Sequence, residues 1–278
     1  MQCIFCKSST TGCRSTEHII PESLGNLEHV LPPGWVCDDC NNYLSREVEA
    51  PFLNSCYGRH SRFEMRVPSK RGKVPPAIGL YTQSRSKVDL YVDKDGIFGI
   101  CAAPGENEKR FVESFSENTH GTLYVPIVTL PPQNYETARF ICKVALEVLA
   151  YQGMHLNAWN REVVDKTELD ELRAYVRRGR PEFIWPVHIR RIYAPDFLFA
   201  DGTFPPHNVL HEWDILAISD NTTPQVMEYY AVIAIFGVEY AINLGGPELD
   251  GYHRWLKNND HISFLYSKKG DANISMNK

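Results

Sequence analysis

Long apolar runs are missing from this 278-residue chain. One uncharged stretch, YYAVIAIFGV at 229–238, is half the length a bilayer span needs, and Glu228 and Glu239 bound it. It reads as a buried strand, so no membrane partner is expected. No leader is expected either. The opening MQCIFCKSS has no basic region followed by an apolar run, and a cytoplasmic protein is expected. Internal repeats and low-complexity tracts are absent. With 43% hydrophobic and 23% charged residues, the composition is that of an ordinary globular chain able to build a sizeable core.

Acid is scarce in one segment. Residues 59–87 hold eight Lys or Arg against the single acid Glu64, so the segment is +7 while the rest of the chain is −12. A basic block of this kind suits phosphate contact. Arg59, Arg62, Arg66, Lys70, Arg71 and Lys73 are its candidate nucleic-acid contacts, with Arg46 upstream. The plainer reading is a solvated loop.

Cysteine, by contrast, is plentiful, with eight in the chain. Paired cysteines in a cytosolic protein bind metal more often than they form disulfides. Cys3 and Cys6 form one C-x2-C pair, and Cys37 and Cys40 a second, thirty residues on. Four thiolates from two such knuckles close a tetrahedral zinc shell. A closed shell leaves no open position, so this zinc is a staple and not the catalyst. Cys13 lies near enough to compete for a place. Cys56, Cys101 and Cys142 are scattered, and Cys142 falls on the apolar side of a helix.

Residues 1–58 therefore read as a small stapled module: a CIFC turn, a strand end at STEHIIP, a second short strand at GWVC, and a helix over DCNNYLSREVEA. Asp38 or Asp39 is expected to cap that helix, and Pro51 to end it. Residues 59–86 read as a basic, Pro/Gly-rich linker or phosphate-contacting segment. Residues 87–278 read as a larger, mainly antiparallel α+β domain. KVDLYVD and GIFGIC flank a KD turn with Gly96 at its exit. GTLYVPIVTL (121–130) is a further expected strand. Residues 134–154 form the strongest helix, with Ile141, Val144, Ala145, Val148 and Leu149 on one face. Residues 167–179 form a second, with Thr167 as its cap and Gly179 past its end. FIWPVHIRRIY, NVLHEWDILAIS, EYYAVIAIFGVEYAINLGG and HISFLYS are expected strands, the third a hairpin turning at Phe236-Gly237. The overall class is α+β.

Between the cysteine pairs stands STEHIIPESLGN. Glu17 and Asn41 offer hard oxygens that suit Mg2+. The His18 imidazole can take a proton from water near neutral pH. Together the motif C-x2-C…EHIIP…C-x2-C-N resembles the HNH endonucleases in their zinc-stapled ββα-metal form. The resemblance covers about a fifth of the chain. It implies a metal-dependent endonuclease, with Glu17 and Asn41 as ligands of a catalytic Mg2+ or Mn2+, His18 as general base, and Cys3, Cys6, Cys37 and Cys40 on structural zinc. The implied substrate is DNA, with RNA an alternative.

The chain departs from the family pattern twice. Many members carry Asp where Glu17 stands. Many also carry an Asn that orients the base where this chain has Pro32, leaving Asn26 or His29 as stand-ins. Asn42 could serve in place of Asn41. The C-terminal region would select the substrate or form a homodimer, and a restriction or phage-defence role fits that architecture. A non-catalytic zinc-stapled nucleic-acid binder and a ligand-gated effector nuclease are the competing readings. The aromatics Tyr229, Tyr230, Phe236, Tyr240, Trp159, Trp185, Trp213 and Trp255 read as sheet core or as stacking surfaces for bases. His207, His211 and Asp214 look superficially like a metal cluster, but strand alternation places His211 opposite Asp214.

Overall fold

β1 (Glu17–His18) pairs antiparallel with β2 (Val30–Leu31), Glu17 opposite Leu31 and His18 opposite Val30. The structure is a computed structural model and describes residues 1–69, 71–93, 96–194, 211–219 and 227–267. GWVC is not the second strand, which lies earlier. Trp35 instead accepts the Ile4 N–H through its carbonyl at 3.0 Å, tying one cysteine loop to the other. α1 (Asp38–Leu44) follows, capped by the Cys37 sulfur, which accepts the Cys40 N–H at 3.4 Å. Neither aspartate is the cap. Pro51 does not end the helix either. One π-helical turn, Ser45–Glu49, carries it into α2 (Ala50–Asn54). A helical proline has no N–H to give the carbonyl four residues back. That carbonyl, of Glu47, accepts instead from Arg139 at 3.1 Å.

The next stretch folds around a small sheet. α3 (Cys56–Glu64) runs from the end of the expected module into the segment expected to be a linker or phosphate contact, with the Ser55 hydroxyl accepting the Gly58 N–H at 3.0 Å. β3 (Ala77–Tyr81), β4 (Ser86–Val92) and β5 (Phe98–Ala102) precede α4 (Glu108–Glu117) and β6 (Leu123–Tyr124). The antiparallel order is β5-β4-β3-β6, over a core of Tyr81, Val88 and Phe111. The strand expected over 121–130 shrinks to two residues. Pro126 supplies no ladder donor, and Ile127 is 86% exposed. The KD turn itself, 94–95, lies outside the described residues.

α5 (Tyr135–Gln152) starts where the Asn134 side chain accepts the Thr137 N–H at 3.0 Å. It is buried nearly all round, as a central helix must be. α6 (Trp159–Asp165) and a 3-10 turn at Thr167–Leu169 lead to α7 (Asp170–Arg178), and Thr167 makes no capping bond. A second antiparallel sheet, ordered β7-β10-β9-β8, comprises β7 (His188–Arg191), β8 (His211–Ser219), β9 (Met227–Ile235) and β10 (Val238–Asn243). Phe236 and Gly237 turn it with φ of 51° and 76°, the positive values that match the twist of paired strands. α8 (Asp250–Asn258) and α9 (Phe264–Ser267) complete the described chain, so HISFLYS ends in helix and not strand. Trp185, Tyr230, Phe236 and Tyr240 are core, while Tyr229 is 40% exposed.

The fold is α+β, in two compact units. One comprises 1–21, 26–52 and 132–278, the other 22–25 and 53–131. Among the described residues, no helix is long and apolar enough to cross a membrane.

Candidate metal centre and active site

Each C-x2-C pair folds as a tight loop that turns both sulfurs to one point. The sulfurs of Cys3, Cys6, Cys37 and Cys40 all lie within 4.8 Å of one another, with Cys6 and Cys37 at 3.6 Å. Tetrahedral zinc spaces its sulfurs about 3.8 Å apart, so this donor set fits the ion. The thiols also need a cation. The Cys3 thiol is pushed down to about 5 by the Cys40 S–H that it accepts, and that same bond pushes Cys40 up. Burial pushes Cys37 up to about 11. Sulfurs this close share protons, and a cation is what lets all four carry charge together. Cys13 is half-buried, Cys56 and Cys101 are exposed, and Cys142 is buried in α5.

Glu17 and His18 form β1, between the two cysteine pairs in sequence. Ile19 and Ile20 are fully buried and anchor the strand's end. The loop from β1 to β2 is clamped by the buried Asn26 side chain. Its Nδ2 donates to the carbonyls of Ile20 at 2.8 Å and His29 at 2.9 Å, and its Oδ1 accepts the His29 N–H at 2.9 Å. Pro32 makes only a turn, its carbonyl accepting the Trp35 N–H at 3.4 Å. His29 points elsewhere, with Nδ1 3.1 Å from the Tyr151 hydroxyl and its ring edge-on to Trp213. His18 is half-buried, and its Nδ1 is enclosed with no hydrogen-bond partner. Asn41, at the start of α1, donates Nδ2 to the Thr16 carbonyl at 2.9 Å, which ties it to β1 and leaves Oδ1 as its acceptor. Asn42 is exposed.

Glu17 is buried, on the face of β1 opposite His18. Its Oε1 accepts from Lys143 Nζ at 2.7 Å. The same ammonium lies 2.6 Å from Glu49 and 2.9 Å from Glu147. Burial raises the Glu17 carboxyl, with Lys143 opposing, and raises Glu147 well above the carboxylate range. The three acids raise Lys143 well above its ordinary value, outweighing its burial. Three carboxylates thus meet one buried ammonium in a single cage. Arg139, one turn before Lys143, donates to the Tyr43 hydroxyl at 2.7 Å and the Val176 carbonyl at 2.9 Å. Arg139, Lys143 and Glu147 form an i, i+4, i+8 stripe. It puts charge on the inner face of a buried helix, and that spacing within an apolar run is the signal by which the sequence could have revealed it.

The basic candidates are dispersed. Arg46 is exposed beside Glu47 at 2.7 Å. Arg59 pairs with Asp89 at 3.7 Å. Arg62 is buried, its Nε without a partner, and desolvation lowers its guanidinium. Arg66, Arg71 and Lys73 are exposed. Lys70 and His207 lie outside the described residues. On β8, Asp214 is buried, while His211 faces the other side.

Two short strands and a helix around a four-sulfur knot define a zinc-stapled ββα module. Residues 3–56 match the HNH endonuclease family, from the first knuckle cysteine to just past α2. No curated protein and no solved structure matches the chain significantly. The N-terminal segment thus matches the HNH endonuclease family, whose members act on nucleic acid.

Proposed function

We propose that the protein is a divalent-metal-dependent endonuclease that hydrolyses phosphodiester bonds of DNA. The observation that carries this reading is the family match over residues 3–56, which takes in Glu17, His18 and Asn41. The half-buried His18 imidazole takes the proton of the attacking water. Asn41, through Oδ1, would hold the catalytic Mg2+ or Mn2+, and Glu17 would join it by turning a carboxylate oxygen out of the Lys143 cage. That ion would stabilise the charge on the scissile phosphate and the leaving oxygen. Hard amide and carboxylate oxygens fit such an ion. Residues 87–278 would select the substrate or pair two copies, in a restriction or phage-defence setting.

The test is plasmid cleavage with Mg2+ or Mn2+ by wild type, His18→Ala and Asn41→Ala. A base of this kind contributes about 10²–10⁴-fold. The reading expects a loss of that order in His18→Ala with zinc retained. Binding without cleavage by the wild type would show a non-catalytic binder instead.

A further inference from the structure

The basic segment 59–73 spends Arg62 inside the protein and Arg59 on Asp89. Positive charge converges at a different place. A groove of about 280 Å3 opens beside the first cysteine knuckle, between Lys7 and α7. Phe5 and Cys6 line one wall, and Asp170, Arg173, Arg177 and Arg178 line the other. Four cations face one anion there, in a protein whose overall net charge is −5.

These cations are not equivalent. Arg173 is buried and committed to the fold. It donates to the carbonyls of Ile4 and Lys166 at 2.8 Å and to that of Val163, and pairs with Asp170 at 2.6 Å. Its work is to lock α7 onto the knuckle. Lys7 projects from the turn of the knuckle, in a left-handed backbone conformation with φ 60°, and its ammonium lies 2.5 Å from Asp170. Arg178 is exposed and Arg177 half-buried, on the last turn of α7. The charge not built into the fold's core is therefore Lys7, Arg177 and Arg178, with Asp170 covering Lys7.

We propose that this groove grips the phosphodiester backbone of the nucleic acid that the module cuts, and that Asp170 competes with phosphate for Lys7. The proposal rests on the nuclease reading above. Arg177 and Arg178 supply flat donor forks suited to phosphate oxygens, and Lys7 supplies a point charge on the knuckle itself. The groove reads backbone and not sequence. It joins the stapled module to α7, so a strand held there is registered against the module by the same Arg173 bonds that fix the helix.

The test is fluorescence anisotropy of a labelled 20-base-pair duplex with full-length His18→Ala protein, which prevents cutting. Three further proteins are built on that background. One carries K7A/R177A/R178A, one carries Asp170→Asn, and one carries R161A/R254A/K257A, which removes the same charge from exposed positions elsewhere. Each duplex phosphate contact contributes about 0.9 to the slope of log affinity against log salt. The groove variant should lose about tenfold in affinity or more at 0.1 M salt, and two to three of that slope. Asp170→Asn should bind more tightly, since Lys7 is released. Zinc content shows that the knuckle is intact throughout. Equal weakening by the groove and distal triple variants would overturn the proposal, as would weaker binding by Asp170→Asn. No binding by His18→Ala itself would overturn the nucleic-acid reading along with it. Binding lost only in the groove variant supports the groove and leaves cleavage to its own assay.

Discussion

Lys143 Nζ lies 2.7 Å from Glu17 Oε1, across 126 positions of sequence. Both groups are buried, and the ammonium serves Glu49 and Glu147 as well. Removing one partner of a buried ion pair leaves uncompensated charge and costs about 3–5 kcal/mol. Lys143→Met should therefore lower stability by about that amount, read as the urea midpoint. Glu147→Gln leaves the ammonium its other two carboxylates, and should cost less. An unchanged midpoint in Lys143→Met would contradict the cage.

Zinc can be counted directly. The protein should hold one zinc per chain, and Cys37→Ser should release it, while Cys56→Ser and Cys101→Ser keep it. Emission spectroscopy on the acid-digested protein gives the number. Full zinc in Cys37→Ser would remove that residue from the site.

Asn26 joins both ends of the β1–β2 loop with three hydrogen bonds, inside the protein. Asn26→Ala leaves the Ile20 carbonyl and the His29 N–H without these partners, while the His29 carbonyl keeps the Ile19 N–H, at a cost of about 1–3 kcal/mol. Cleavage should fall through kcat while zinc content stays at the wild-type level. Wild-type kcat in this variant would show that the loop does not position the site.

His188 sets an acid limit. Burial pushes it down to about 4 from 6.5, Arg190 and His253 push the same way, and Glu239 opposes. Its Nδ1 is 3.3 Å from His253 Nε2. The unfolded chain accepts a proton there that the folded imidazole refuses. Stability should therefore fall as pH drops from about 6.5 towards 4. His188→Gln should flatten that part of the curve of urea midpoint against pH. An identical curve would assign the slope to other groups.

The cysteine spacing made the zinc knot legible, because a C-x2-C loop converges its sulfurs whatever lies beyond it. EHIIP likewise revealed β1, since two buried isoleucines fix a strand's inner edge. The uncharged run at 229–238, broken at Phe236-Gly237, revealed the central hairpin. What stayed hidden depended on partners distant in sequence. Pro51 read as a helix stop because its effect was judged from local sterics alone, and the donor that relieves it, Arg139, comes 88 positions later. Glu17 read only as a metal ligand, because the lysine that holds it is as remote. Arg62 read as a surface charge because composition cannot tell which face of α3 turns inward. GTLYVPIVTL carried strand-forming residues, yet its proline and missing neighbours left only two of them paired.

The distance between Glu17 and Lys143 also sets an order of events at the ribosome. At about 5–20 residues per second, roughly 6–25 s separate the synthesis of the two residues. Zinc can close the knuckles early, since Cys40 emerges long before α5. During that interval Glu17 and Glu49 remain hydrated, because the ammonium that lets them enter the interior has not yet been made. A nascent chain halted before residue 143 would carry its staple without its buried cage.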